Sequence, residues 1–109
     1  SQGFKYIGNL KKLSELSLLG TNVDDEAVGY ISELENMHIL VLMNTKITDK
    51  CIPDLMKLKK LSQLYITNTN ITEKGYKTLK DYYKKNNLDV WVIWDPNDLP
   101  RGGGVDDLR

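Results

Sequence analysis

Cysteine and histidine are the side chains from which nucleophilic catalysis is most readily built, and this 109-residue sequence has one of each, Cys51 and His38. A thiolate–imidazole pair would need both at one place in the fold. One cysteine cannot form an internal disulfide, and one cysteine with one histidine falls short of the usual structural zinc set. The sequence therefore predicts neither a metal nor a cofactor.

Three carboxylates recur at a spacing of 24 residues, namely Asp25, Asp49 and Glu73. Stacked in a column, they could hold a cation. Hard cations, however, usually take six or more oxygen ligands from a closed loop. Acidic residues are also favoured in the first turn of a helix. We therefore predict helix starts at these three positions in preference to a metal site.

The charges balance overall but are distributed unevenly. Lys plus Arg and Asp plus Glu number 15 each, which gives no reason to expect nucleic acid or an anionic membrane as a partner. The longest apolar runs, Ile39–Met43 and Val90–Trp94, are too short to span a bilayer. Residues 57–85 are basic, which favours a solvated outer helix surface; an acidic partner is the alternative, and no aromatic residues are interleaved for base stacking. Their lysines are Lys57, Lys59, Lys60, Lys74, Lys77, Lys80, Lys84 and Lys85.

The acidic positions belong to a repeat, because the sequence realigns on itself at a shift of 24 residues over 13–25, 37–49 and 61–73. Each copy has two apolar residues in alternation, as in a strand, followed by apolar residues three apart, as on one helix face. Thr48 and Thr72, with Asp24 in the equivalent place, are predicted helix N-caps, and Pro53 is predicted to shorten the second helix. The alternating pairs are Leu16 and Leu18, Leu40 and Leu42, and Leu64 and Ile66; the predicted turn threonines are Thr21, Thr45 and Thr69.

The repeated pattern L-x-x-L-x-L-x-x-T-x-[IV]-[TD]-[DE] resembles a leucine-rich repeat of the short Thr-Asp type, similar to bacterial and F-box-type repeats. The resemblance covers roughly residues 3–94. It implies an α/β fold, a right-handed solenoid with a parallel sheet on its concave face and helices on its convex face. It also implies that the family's shared activity, protein interaction, applies to this chain.

The two ends of the chain extend the pattern. Gly3–Asn9 aligns with Ala27–Glu33, which indicates a partial first repeat without its strand. The strand at Leu16 would then be an open edge, and self-association through it is predicted. Leu88 and Val90 fall on the 24-residue register, which predicts a cap strand at about 89–93. We therefore predict a repeat domain over 1–94 and a flexible tail over 95–109.

Side chains between the inward leucines are predicted to face the concave side, where the pattern places apolar and aromatic residues together. Such a patch is typical of an interaction surface, although strand propensity alone also favours these residue types. Cys51 aligns with Gly3, Ala27 and Gly75, which predicts a buried, inert thiol far from a solvated His38. The candidate partner-binding residues are Leu19, Val41, Met43, Tyr65 and Trp91.

The sequence thus favours a protein-interaction module over an enzyme, since no nucleophile, base and orienting group converge. Another protein is the expected partner. The alternative is a regulatory or substrate-recognition subunit of an enzyme assembly such as a ubiquitin ligase, which an F-box-like segment would support; the sequence has none.

Overall fold

The computed structural model describes residues 2–98, and in that range the chain is an α/β protein built on one parallel sheet of four strands. The strands lie in chain order across the sheet, and a helical segment separates each strand from the next. The strands are β1 (Glu15–Ser17), β2 (Ile39–Val41), β3 (Gln63–Tyr65) and β4 (Trp91–Ile93). The helices are α1 (Asp25–Ile31), α2 (Ile52–Leu55) and α3 (Glu73–Lys85), with 3-10 segments at Gln2–Asn9, Asp49–Cys51 and Pro96–Asp98.

The core lies between the sheet and the helices. Leu40, Leu42, Leu64 and Ile66 are fully buried and belong to one cluster with apolar residues of the helices. The predicted alternation of these residues with more exposed ones is therefore confirmed in the two central strands. The helix residues of the cluster include Val28, Ile31, Leu55 and Leu79.

The pairing register follows the sequence period in the first three strands and departs from it at the fourth. Paired residues are 24 apart in β1–β2 and β2–β3, but Leu64 pairs with Val92, 28 residues on. The prediction that Leu88 and Val90 stand in register was therefore wrong. Helix α3 has 13 residues against seven in α1, and an added turn of about 3.6 residues accounts for the four extra positions. The inward place after Ile66 accordingly falls to Trp94.

The predicted helix starts are confirmed. The Thr72 hydroxyl accepts a hydrogen bond from the Gly75 amide at 3.2 Å, and the Asp24 carboxylate accepts one from Ala27 at 3.0 Å. Thr48 caps the 3-10 turn that precedes α2. Pro53 stands at the beginning of α2, which is four residues long, as expected for a helix that proline confines to its first turn.

Each turn after β1, β2 and β3 has the same construction. Gly20, Asn44 and Asn68 have positive φ angles of 69°, 58° and 57°, a conformation that glycine and asparagine adopt most readily. The threonine that follows donates its hydroxyl to a carbonyl three residues back, as predicted. These bonds are Thr21 to Leu18 (2.8 Å), Thr45 to Leu42 (2.7 Å) and Thr69 to Ile66 (2.9 Å).

The first and last segments cover the sheet unequally. The 3-10 segment Gln2–Asn9 packs on α1, while β1 pairs only with β2 and its Leu16 and Leu18 are half-buried. Beyond β4, the Trp94 indole stacks on Tyr76 at 4.9 Å and donates to the Ile71 carbonyl at 2.8 Å. Self-association through the β1 edge stays a prediction. Most of the predicted tail, residues 99–109, lies outside the described residues, in which no helix is long and apolar enough to cross a membrane.

Candidate functional site

The sheet has a second face, formed by the side chains that alternate with the core residues, and we call it the open face. Strand register arranges its residues in rows that run across the four strands. One row consists of Glu15, Ile39, Gln63 and Trp91, and the next consists of Ser17, Val41, Tyr65 and Ile93. A third row begins beyond the strand ends with Leu19 and Met43, because the Gly20 amide donates to the Met43 carbonyl at 3.0 Å.

The structure brings some of the predicted partner-binding residues together and separates another. Val41 and Tyr65 are direct register partners, and Leu19 lies beside Met43. Trp91 pairs with Gln63 and is therefore diagonal to Tyr65, one row away. Diagonal neighbours in a sheet remain within reach of large aromatic side chains.

These residues differ widely in exposure. Leu19 is 51% exposed and Trp91 is 44% exposed, whereas Val41 and Met43 are half-buried. Tyr65 keeps only 9% of its surface, so it offers little area to a partner. Its hydroxyl donates to Gln63 Oε1 at 2.8 Å, and burial raises its pKa. Whether this group binds a partner stays a prediction.

A shallow depression of about 240 Å³ opens next to Trp91, lined also by Ser62, Gln63 and Asp89. The period-two pattern placed Gln63 and Asp89 on this face, but it did not select them as site residues. Their meeting with Trp91 depends on the 28-residue step between β3 and β4, which the 24-residue period does not contain. The length of the predicted third helix, which runs on to Lys85, was the signal that could have indicated the longer step.

The column of acidic residues links neighbouring turns of the chain. The Asp25 carboxylate accepts from the Thr48 amide at 2.7 Å and from the Thr48 hydroxyl at 2.6 Å. Asp49 does the same for Thr72, at 2.8 and 2.5 Å. Glu73, in the third place, is exposed and forms an ion pair with Lys77 at 3.3 Å. Within residues 2–98 no three His, Cys, Asp or Glu side chains cluster in a way that could hold a metal.

Cys51 and His38 lie in contrasting environments. Cys51 is a free thiol that is fully buried, whereas His38 is exposed at the entrance to β2, with Nδ1 2.8 Å from the Asn36 carbonyl oxygen. Burial raises the pKa of the Cys51 thiol, and the negative charges of Asp25 and Asp54 raise it further. The predicted burial of the thiol and the predicted solvation of the histidine are confirmed.

This raised pKa predicts a loss of stability at alkaline pH. Because the folded thiol holds its proton where the unfolded thiol releases it, its contribution is complete below the unfolded pKa of about 8.5 and is lost as pH rises above it. We expect the free energy of unfolding to fall by up to about 1.4 kcal/mol per pH unit there. Cys51→Ala, which introduces the residue that Ala27 supplies at the equivalent position, is expected to flatten the profile between pH 8 and 10. Urea titrations at each pH measure it, and parallel profiles for the two proteins would contradict it.

The lysines of residues 57–85 are all exposed, as predicted for a solvated surface. Several have local partners. Lys57 pairs with Asp54 at 3.4 Å, and the Lys59 ammonium contacts the Tyr82 hydroxyl and lies 4.7 Å from the centre of its ring. Part of this positive charge is therefore engaged within the chain.

Comparison with known proteins identifies a similar fold. No family model and no curated protein matches the chain. A solved structure described as "Leiomodin-1 Actin-Binding Site 2 (ABS2)" is similar to it, with a TM-score of 0.64 and 17% sequence identity. The alignment covers 84% of this chain and 58% of that chain, so the present chain spans little more than half of its neighbour. At this level of identity the similarity concerns the fold alone.

Proposed function

We propose that this chain is a leucine-rich repeat protein, a right-handed solenoid in which the sheet forms the concave side and the helices form the convex side. The 24-residue period and the matching 24-residue strand register support this proposal. So does the turn shared by the three repeats, with glycine or asparagine followed by threonine. Stacked units of this kind present one extended surface to a partner.

We further propose that the open face binds another protein. The observation that carries the proposal is the exposure of Leu19 and Trp91, at 51% and 44%, on a face that also contains the apolar Val41 and Met43. Large apolar side chains grouped on a surface, with tryptophan among them, are typical of the anchors of protein interfaces. The buried Cys51 and the exposed, distant His38 favour binding over catalysis as its role.

The name of the structural neighbour refers to actin binding by leiomodin-1. It is consistent with a protein partner for the present fold. Since the two chains share 17% of their residues, actin itself is not the proposed partner. The outer lysine surface is the competing site, and its engaged ammonium groups make it the less favoured one.

The test compares capture by two variants. Leu19→Ser with Trp91→Ser removes the exposed anchors and leaves the core intact, so partners captured by the parent chain are expected to be lost, with a Tm near that of the parent. Tyr65 is left unchanged because its burial would confound stability with binding.

The matched control reverses the charge of Lys77 and Lys80 on the outer side of α3 with Lys77→Glu and Lys80→Glu. It should retain the same captured proteins, as identified by mass spectrometry. Loss of capture only in the lysine variant would place the site on the outer surface. Ubiquitin-ligase subunits among the captured proteins would favour the alternative of a substrate-recognition subunit.

A further inference from the structure

The depression beside Trp91 combines an exposed aromatic ring with an exposed carboxylate. Trp91 and Asp89 lie two residues apart on the same side of the chain, and Ser62 and Gln63 complete the lining. The Trp91 amide donates to the Ser62 carbonyl at 2.9 Å, so the backbone that carries the indole is fixed to its neighbouring strand. The ring is therefore held at the surface with 44% of the residue exposed.

The polar groups of the lining are partly committed. Gln63 Oε1 already accepts the Tyr65 hydroxyl, and the Ser62 hydroxyl donates to the His38 carbonyl at 3.2 Å. The Asp89 carboxylate forms no ion pair with any residue between 2 and 98. It is thus the strong acceptor that the depression can offer to a ligand.

The charge of the open face has one sign. Among the residues that the strands and their continuations place there, Glu15 and Asp89 are the charged ones, and both are acidic. The nearby Lys60 extends its ammonium to Asn36 Oδ1, at 3.0 Å, on the neighbouring turn. The open face thus attracts cations, in contrast to the outer surface with its lysines.

We propose that this depression binds an arginine side chain of the partner protein, an inference that rests on the proposed function and specifies the partner's chemistry. The guanidinium would stack on the Trp91 indole and donate to the Asp89 carboxylate. Its planar shape suits both contacts at once, since it stacks on aromatic faces and pairs with carboxylates through two parallel N–H groups. A lysine ammonium is a compact, strongly hydrated charge and fits this arrangement less well.

The experiment uses blocked Gly-Arg-Gly-Arg-Gly peptide as the probe, with citrulline and lysine versions as uncharged and non-planar controls. The readout is the indole N–H resonance of Trp91, with that of Trp94, whose N–H is bonded to the Ile71 carbonyl, as the internal reference. We expect the arginine peptide to shift the Trp91 resonance in a saturable way. The citrulline peptide should bind about tenfold more weakly, because it loses both the cation–π contact and the ion pair.

Variants assign the contacts. Asp89→Asn and Trp91→Leu should each weaken arginine-peptide binding about two- to fivefold. Asp81→Asn, which removes an exposed carboxylate of α3, should leave it unchanged. Equal affinities for the arginine and citrulline peptides, or for the arginine and lysine peptides, would overturn the inference. So would weakening by Asp81→Asn without weakening by Asp89→Asn.

Failure of the arginine inference is distinguishable from failure of the proposed function. If partner capture requires Leu19 and Trp91 but the arginine peptide does not bind at Trp91, the open face is the interface and the arginine inference is wrong. If the peptide binds at Trp91 but capture survives the loss of both anchors, the proposed function is wrong.

Discussion

Leu42→Ala is expected to lower the free energy of unfolding by about 2 to 5 kcal/mol, because it truncates a side chain in the most tightly enclosed part of the fold. Leu42 has no exposed surface and lies in the middle of the core cluster, just beyond β2. Neighbours on β3 and in the helices close around it, so truncation leaves a cavity as well as removing buried apolar area. Chemical denaturation monitored by circular dichroism measures the loss.

The control for this substitution is Lys57→Ala. Lys57 is exposed, and its ion pair with Asp54 at 3.4 Å lies at the surface, so the expected cost is below about 0.5 kcal/mol. Similar losses in the two variants would mean that the inward and outward positions have been assigned to the wrong sides.

Asp25→Ala is expected to lower the free energy of unfolding by about 2 to 4 kcal/mol. Its carboxylate accepts two short hydrogen bonds from Thr48, in the next turn of the chain, and charge-assisted bonds contribute about 1.5 to 3 kcal/mol each before any relaxation. The partly buried Thr48 amide would lose its acceptor. Hydrogen exchange at that amide should therefore accelerate more than exchange at amides of α3.

Glu73→Ala is the matched control for Asp25→Ala. Glu73 holds the same position in the third repeat, but its side chain is 67% exposed and pairs only with Lys77. We expect a loss below about 1 kcal/mol, from the helix start and a surface ion pair. A loss as large as that of Asp25→Ala would show that the column acts through the helix dipole and not through the links to threonine.

Local features of this fold were predictable because they depend on residues a few positions apart. The alternation at Leu40 and Leu42, the caps at Thr48 and Thr72, and the short helix at Pro53 each follow from period, side-chain reach or ring geometry. The open-face position of Trp91 follows from the same alternation. These features confirm the α/β arrangement at the level of its elements.

Features that depend on residues in different turns of the chain were not predictable in the same way. The helix-start position was enough to account for Asp49, and nothing nearby in the sequence shows that it reaches Thr72. The burial of Tyr65 results from its neighbours across the sheet, whereas the pattern gives only the direction of its side chain. The site at Trp91 changed its neighbours because the register of β4 depends on the length of α3.

The longer step before β4 also shows how such a chain can change length without losing its core. Four residues are close to one turn of an α-helix and are an even number in a strand. Their addition therefore leaves Leu79 and Tyr83 buried and keeps Val92 pointing inward. An insertion of one or two residues would rotate the helix by about 100° or 200° and turn its apolar face away from the core. Length variation among proteins of this kind is therefore expected to occur in steps of about four residues, placed within the helices.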